Sequence, residues 1–478
     1  MAATGDQLKN QHLMWRAAFG PTTQNVRELS SISQKELYHF LEKKSSRKPD
    51  EFNVASNLFD GMVKGIQDIA MLQKLSQDQR KMLRKQSVDD LKNLNLAWLS
   101  EMINSEAQLR EKISLFWHGH FACRVINIYF QQQLLNVIRE NALENFGELL
   151  RAVSKSASML SFLNNQQNKK QHPNENFARE VMELFTMGRG NYAEEDVKEG
   201  ARAFTGWGFD LHGEFVNRSF QHDNGNKTFL GKTGNFNGDD IINILLDQPQ
   251  TARFITQKIY KYFVSEKTDS EKVDWLAARF YNNSYDIKKL MSDIFLSNWF
   301  YRQENIGTHI KSPIELLAGI RRFLPMELDK PEVQLLFQHA LGQVLFYPPN
   351  VAGWPGGKNW IDSSALMLRL RSPQILSNAD DFVIKPKDDD DTMMGMENMD
   401  RNEKARMVNS TVNWDMVIKE FDNVSRELLQ QSIGDVLLQT TSKIDPVILE
   451  EHADKRSRDN YIKTTIVELM STPEYQLC

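Results

Sequence analysis

The chain has 478 residues, of which 41% are hydrophobic and 25% charged, a composition typical of proteins that bury a large core. Its net charge of −5 provides no basic field for nucleic acid or anionic lipid, so no nucleic-acid partner is expected. Two cysteines exclude both a disulfide framework and a zinc site with four cysteine ligands.

The N-terminal segment, MAATGDQLKNQHLMWRAAFG, lacks the basic start and apolar centre of a secretory signal peptide. We therefore expect a cytoplasmic protein as the sequence is written, and a periplasmic or exported one if a leader has been removed. No apolar run approaches the roughly eighteen residues of a membrane span, so none is expected.

Hydrophobic residues recur at helical spacing through most of the chain, which predicts a predominantly α fold with one large multi-helix domain. The first long helix is predicted over 86–117. Further helices are predicted at 131–151, 173–187, 194–205, 239–263, 271–281, 285–299, 311–323 and 331–343.

Three stretches depart from this helical pattern. Residues 206–238 are rich in Gly and Asn and predict a small β-hairpin with an ordered loop. Residues 347–364, YPPNVAGWPGGKNWIDSS, predict a rigid loop that presents tryptophan rings. The acidic run at 385–405 predicts a flexible insertion between a main helical domain, 1–384, and a C-terminal helical segment, 406–478, that packs on it.

The stretch SLFWHGHFACR contains two histidines, His118 and His120, that are candidate metal ligands. On a regular helix, residues two apart point to different sides, because each residue turns by about 100°. Shared ligation therefore requires the helix to stop near Gly119, which glycine permits. The alternative is two structural histidines, with His120 buried and His118 pointing elsewhere.

Two further stretches contain polar residues at suggestive spacing. In HPNENFAREVMELFTMG, the residues Glu175, Arg179 and Glu183 form either a surface ion-pair ladder or an inward face that carries catalytic carboxylates. In HDNGNKTFLGKTGNFNGDD, the pair His222 and Asp223 has metal-ligand chemistry and Lys227 adds a cation. Asn235 and its neighbours form turns or bind a polar ligand.

Several cofactor motifs are absent from the sequence. There is no Walker A loop, dinucleotide fingerprint, HExxH or GxSxG. No nucleotide, flavin or nicotinamide cofactor is therefore expected.

The stretches quoted above, taken together, resemble the bacterial family catalogued as "domain of unknown function 1800". The resemblance spans nearly the whole chain and rests on HLMWRAAFGP, FWHGHFA, NENFAREVMELFTMG, EEDVKEGARAFTGW, HDNGNKTFLGKTGNFNGDDII, IKSPIELLAG and LFYPPNVAGWPGGKNWI. It implies one long helical unit but no catalytic residues. It also implies a partner, the family catalogued as "domain of unknown function 1501", which is similar to sulfatases and phosphatases.

Because its distinctive stretches contain polar, chemically capable residues, the resemblance favours a shared pocket. The leading hypothesis is a metal-dependent hydrolase that binds zinc, manganese or iron. In it, one group of residues supplies ligands and a second group supplies the catalytic base and anion-stabilising cations. The ligands would be His118, His120, His222 and Asp223, and the catalytic group Glu175, Glu183, Arg179 and Lys227.

Two alternatives come from other functional classes. In the first, the chain is a non-catalytic partner or scaffold for the phosphatase-like neighbour, and its histidines are structural. In the second, it is a carbohydrate-binding module in which Trp354 and Trp360 stack on sugars. Asn235 in the stretch 206–238 and Asn350 in the loop 347–364 are further candidate ligand-binding residues.

Overall fold

The computed structural model describes residues 5–26, 28–55, 76–210, 212–378, 408–440 and 444–478. It confirms the prediction of a predominantly helical protein. The predicted acidic insertion at 385–405 lies outside the described residues.

The helices follow one another along the described parts of the chain. They are α1 (Gly5–Arg16), α2 (Gln34–Ser45), α3 (Gln77–Asn104), α4 (Gln108–His120), α5 (Ile128–Asn141), α6 (Phe146–Ser154), α7 (Ala157–Phe162), α8 (Glu175–Glu180), α9 (Glu194–Ala203), α10 (Gly238–Leu246), α11 (Pro249–Phe263), α12 (Ser270–Asn282), α13 (Ile287–Phe295), α14 (Pro313–Phe323), α15 (Val333–Leu341), α16 (Ser363–Leu376), α17 (Trp414–Lys419), α18 (Leu429–Leu437), α19 (Pro446–His452) and α20 (Arg458–Met470).

Three of the long predicted helices are each divided into two shorter ones. The predicted 86–117 becomes α3 and α4, because Ser105 is extended and ends α3. The predicted 239–263 becomes α10 and α11, because Pro249 occupies the first turn of a new helix, where its missing N–H has no cost. The predicted 131–151 is likewise divided into α5 and α6.

The small β elements are two-stranded and antiparallel. Within 206–238 there are two hairpins instead of the single predicted one, β1 (Trp207–Phe209) with β2 (Phe215–Asn217) and β3 (Lys227–Phe229) with β4 (Lys232–Gly234). A third pair joins β5 (Met326–Leu328) to β6 (Ser410–Val412), so chain on either side of the undescribed stretch 379–407 meets here.

Buried apolar side chains form two large clusters. The first contains Phe116 and Trp117 of α4 together with side chains of α6 and α8 to α13. The second contains Trp98 of α3 together with Tyr461 and Ile466 of α20. The C-terminal segment therefore contributes to the same core as the N-terminal helices.

Candidate functional site

His118 and His120 both lie within α4, which continues to His120 before Phe121 ends it. The sequence hypothesis of shared ligation required the helix to stop near Gly119, and this condition is wrong. Because the two residues are two positions apart on a regular helix, their rings enter different surroundings.

His118 is a structural residue that fixes the start of the 347–364 loop. It is 3% exposed, and its Nε2 accepts a hydrogen bond from the backbone N–H of Phe346 at 3.1 Å. Phe346 has φ of +66°, a conformation that few residues other than glycine adopt, so this bond helps to hold a strained backbone. Burial lowers the pKa of His118 to about 3, and the ring is therefore neutral. Its ring packs against Trp98, Phe346 and Trp354.

His120 instead forms a pair with Lys258 of α11. Its Nδ1 lies 3.1 Å from the Nζ of Lys258, and its Nε2 lies 3.3 Å from the carbonyl oxygen of Phe185. A carbonyl oxygen only accepts, so the Nε2 carries the proton and the Nδ1 accepts from Lys258. Burial and the neighbouring Lys258 hold the imidazole pKa well below its ordinary value. The ring is therefore a fixed, neutral acceptor.

Lys258 donates a second hydrogen bond to the carbonyl oxygen of Leu184 at 3.1 Å. Its ammonium lies 5.0 Å from the centre of the Phe254 ring. Burial lowers the pKa of Lys258 to about 8. Among the described residues no carboxylate lies within ion-pair distance of it.

A π-helical turn supplies both carbonyl acceptors of this pair. Residues Val181–Thr186 continue α8 with a wider turn, in which the N–H of Met187 bonds to the carbonyl of Met182. The widened turn leaves the carbonyls of Leu184 and Phe185 to accept from Lys258 and His120. Single π turns of this kind are frequent at functional sites.

The pair borders a cavity of about 530 Å³ between α4, α11, the start of α14 and the 347–364 loop. This volume falls in the range of small-molecule sites. The side chains that matter most for its chemistry are Lys258, Lys261, Tyr262, His309, Glu315 and Trp354.

A buried charged network forms one wall of the cavity. Glu315 is 1% exposed, forms an ion pair with Lys112 and accepts the backbone N–H of Ser312 at 2.7 Å. Burial raises its pKa, but Lys112 and His309 outweigh that effect and hold the pKa well below the ordinary value. Glu315 is therefore an anion whose charge Lys112 offsets.

Two buried polar atoms of this wall have no hydrogen-bond partner in the described part of the chain. They are the Nδ1 of His309, whose Nε2 lies 3.7 Å from Glu315, and the hydroxyl oxygen of Tyr262. Buried polar atoms are nearly always satisfied, so each is available to a ligand or to water.

The loop at 347–364, which we call the tryptophan loop, closes the cavity by packing on the end of α4. Gly353 has φ of +83°, and its Cα faces the carbonyl oxygen of Gly119 so closely that no side chain fits between them. Trp354 borders the cavity and is half-buried, whereas Trp360 is 6% exposed. Asn350 accepts the N–H of Ala352 in a turn and is not among the residues that line the cavity.

Glu175 and Arg179 of α8 form one ion pair of the surface ladder that the sequence allowed as an alternative, whereas Glu183 lies in the π turn and has another partner. Arg179 bonds to Glu175 at 3.0 Å and to Glu194 at 2.8 Å, and Glu183 accepts the hydroxyl of Tyr192 at 2.5 Å. None of the three predicted residues borders the cavity. The inward catalytic face that the sequence also allowed is therefore wrong.

The residues from the glycine-rich stretch lie elsewhere. Asp223 pairs with Arg202 at 2.8 Å, and the Nδ1 of His222 lies 2.9 Å from the carbonyl of Thr205. Lys227 donates to the backbone oxygens of Asp223 and Gly225, so it orders the loop. The exposed Asn235 is likewise away from the cavity.

The predicted metal ligands are therefore not brought together. Across the ranges that the structure describes, no group of three or more His, Cys, Asp or Glu side chains is arranged to hold a metal ion. Of the predicted site residues, His120, Trp354 and Trp360 border the cavity.

Lys258, Tyr262, His309 and Glu315 were not predicted as site residues. Glu315 lies in IKSPIELLAG, one of the stretches that carry the family resemblance, so a signal for it was present in the sequence. The sequence contained no such signal for Lys258, because nothing around it distinguishes it from other lysines on helices.

Within the described residues no helix is long and apolar enough to cross a bilayer. Comparison with curated proteins and with solved structures finds no match. A family model described as "Protein of unknown function (DUF1800)" matches residues 12–477, which is nearly the whole chain. The chain therefore belongs to that family.

Proposed function

We propose that the cavity binds a small acidic molecule that carries a carboxylate, phosphate or sulfate group, and that Lys258 receives this group. The observation that carries the proposal is the position of Lys258. Its side chain is partly buried and borders the cavity, yet no described carboxylate pairs with it. Buried charges are otherwise found paired, so a bound anion would supply the missing partner.

The other charges of the cavity support an anionic ligand. Lys261 and Lys358 also border it, and neither forms an ion pair within the described ranges. The opposing carboxylates are Glu266, which is exposed, and Glu315, whose charge is offset by Lys112. The three ammonium groups of Lys258, Lys261 and Lys358 therefore outnumber the one uncompensated carboxylate, that of Glu266. This excess of positive charge favours the binding of anions.

The apolar side of the cavity indicates the rest of the ligand. Trp354 and Phe116 provide flat surfaces, and the unpartnered atoms of Tyr262 and His309 provide hydrogen-bonding positions. A sugar acid combines a stacking face, hydroxyls and a carboxylate, and so matches all three features. The carbohydrate hypothesis from the sequence is thus narrowed to acidic sugars and to Trp354.

The proposal assigns no role to a metal, because the predicted ligands lie in separate places. Hydrolase activity and a partner from the family catalogued as "domain of unknown function 1501" stay predictions from the sequence. Neither has a contact or distance in the described residues that favours it.

Isothermal titration calorimetry with glucuronate, inorganic phosphate and sulfate tests the proposal, with glucose as the neutral comparison. We expect at least one acid to bind more tightly than glucose. Lys258→Met should weaken that binding by about tenfold or more, since one charge-assisted bond contributes about 1.5–3 kcal/mol.

The matched control is Lys198→Met on α9, where the side chain is 56% exposed and pairs with Glu195. It should leave the affinity unchanged. Circular dichroism of both variants establishes that they are folded. If none of the three acids binds, or if Lys258→Met and Lys198→Met bind alike, the proposal is wrong.

A further inference from the structure

We propose that Lys258 acts as an amine nucleophile and forms an imine with the carbonyl carbon of an acidic ligand such as a 2-oxo acid. This inference rests on the proposed function, because the ligand's acid group must first be held in the cavity. To that function it adds a reaction at the Nζ of Lys258, and it narrows the ligand class to acids that also carry a carbonyl group.

The hydrogen bonds of Lys258 suit a neutral amine. A neutral amine has two N–H bonds and one lone pair, and Lys258 has two acceptors, the Nδ1 of His120 and the carbonyl of Leu184. When both N–H bonds are used, the lone pair occupies the one remaining position of the nitrogen. The cavity borders this side chain, and the proposal places the ligand's carbonyl carbon at that remaining position.

His120 is suited to hold the amine in this way. Its Nε2–H is engaged by the carbonyl of Phe185, which fixes the tautomer and leaves the Nδ1 as an acceptor. A charged imidazole at this place would repel an ammonium and could not accept from an amine. The low pKa of His120 is consistent with this role.

The surroundings also favour the neutral form of Lys258. Phe254 packs beside it and burial lowers its pKa to about 8, so about a tenth of the side chain is neutral at pH 7. A lysine that is desolvated in this way is a recognised type of covalent nucleophile.

The reaction balances without an oxidant or a further reactant. The Nζ lone pair adds to the carbonyl carbon, and the carbonyl oxygen then leaves as water with both amine hydrogens. A carbon–nitrogen double bond replaces the carbon–oxygen double bond. Lys258 receives the acid group in the first complex. Once its nitrogen adds to the carbonyl carbon, Lys261, three residues further along α11, and Lys358 on the loop are the cations that remain for the ligand's carboxylate.

Reductive trapping tests the inference on the full-length protein. Glyoxylate is added at pH 7 with sodium cyanoborohydride, which reduces an imine to a stable secondary amine, and peptide mass spectrometry locates the adduct. We expect modification at Lys258 to exceed that at the exposed Lys198 by about tenfold or more, since ordinary lysines are far less deprotonated at this pH.

Two comparisons separate the possible failures. Lys258→Arg keeps a cation but cannot form the imine, so its other lysines should show only the background seen at Lys198. Glycolate has the same acid group without the carbonyl, and it should bind without forming an adduct. Binding of glycolate without any Lys258 adduct from glyoxylate overturns the imine and leaves the proposed function intact. Failure of both glyoxylate and glycolate to bind also overturns the imine, and the proposed function falls with it only if glucuronate, phosphate and sulfate fail to bind as well.

Discussion

The Nδ1 of His120 lies 3.1 Å from the Nζ of Lys258, and this contact joins the C-terminal turn of α4 to the middle of α11. Burial and the neighbouring Lys258 keep His120 neutral, and burial lowers the pKa of Lys258. Ligand binding and protonation are coupled at this contact, because both involve the Nζ of Lys258.

The first prediction concerns stability as a function of pH. Folded Lys258 loses its proton near pH 8, whereas an unfolded lysine keeps it to about pH 10.4. Between these values the unfolded chain binds more protons, so the free energy of unfolding of the native protein rises with pH relative to Lys258→Met. We expect a gain on the order of 1 kcal/mol from pH 7 to 9.5, after allowing for partial solvent access.

Urea unfolding of both proteins at the two pH values measures this difference. A stability difference that is the same at both pH values would show that Lys258 titrates as an ordinary surface lysine.

The second prediction separates the roles of the two histidines in FWHGHF. His118→Ala removes the acceptor for the N–H of Phe346 and leaves a void beside Trp98. We expect it to lower the free energy of unfolding by about 2–4 kcal/mol. The exposed His212, as His212→Ala, is the control and should change stability by less than about 0.5 kcal/mol. Equal effects in chemical denaturation would contradict the structural role of His118.

The third prediction concerns the buried ion pair behind the cavity. Glu315→Gln leaves the ammonium of Lys112 buried without a counter-charge, since both side chains are 2% exposed. Such a change typically costs about 3–5 kcal/mol. The double variant Lys112→Met with Glu315→Gln should recover part of this loss, because no unpaired charge remains.

The control for this pair is Asp274→Asn, which breaks an exposed ion pair with Arg253 and should change stability by less than about 1 kcal/mol. Thermal or urea unfolding of the four proteins makes the comparison. A double variant less stable than Glu315→Gln alone would contradict the prediction, because it would show that the unpaired charge of Lys112 is not the cause of the loss.

The fourth prediction concerns the packing of the tryptophan loop on α4. Gly353 and Gly356 both have positive φ, at +83° and +69°, but only Gly353 faces the backbone of α4. Gly353→Ala should therefore cost about 1–3 kcal/mol more than Gly356→Ala, because both place alanine at a positive φ and only the first adds a steric clash with α4.

The same pair of variants tests whether the loop shapes the cavity. We expect Gly353→Ala to weaken acid binding more than Gly356→Ala does, since the displaced loop carries Trp354. If calorimetry and unfolding find the two variants equivalent, the contact between Gly353 and Gly119 contributes neither to stability nor to the shape of the cavity.

The helical fold was largely predictable because hydrophobic spacing along the chain records which face of each helix is buried. The breaks at Ser105 and before Pro249 were missed because the periodicity continues across them. The second hairpin was missed because short strands rich in Gly and Asn read equally well as turns.

The site was less predictable, because its chemistry depends on contacts between distant parts of the chain. Arg179 is drawn outward by Glu194, fifteen residues later, which no local spacing reveals. Lys258 and Lys261 look alike in TQKIYKYF, and only the position of α4 distinguishes them. The sequence identified His120 as a site residue but predicted a metal ion as its partner, whereas the partner in the structure is Lys258.

The most direct measurement is the pKa of Lys258 by heteronuclear NMR of its side chain, in the free protein and with a bound acid such as glucuronate. The role proposed for Lys258 requires titration near pH 8 in the free protein and at a higher pH when the acid is bound, because an anion stabilises the ammonium form. Titration near the ordinary lysine value of about 10.4, unchanged by the acid, would contradict it.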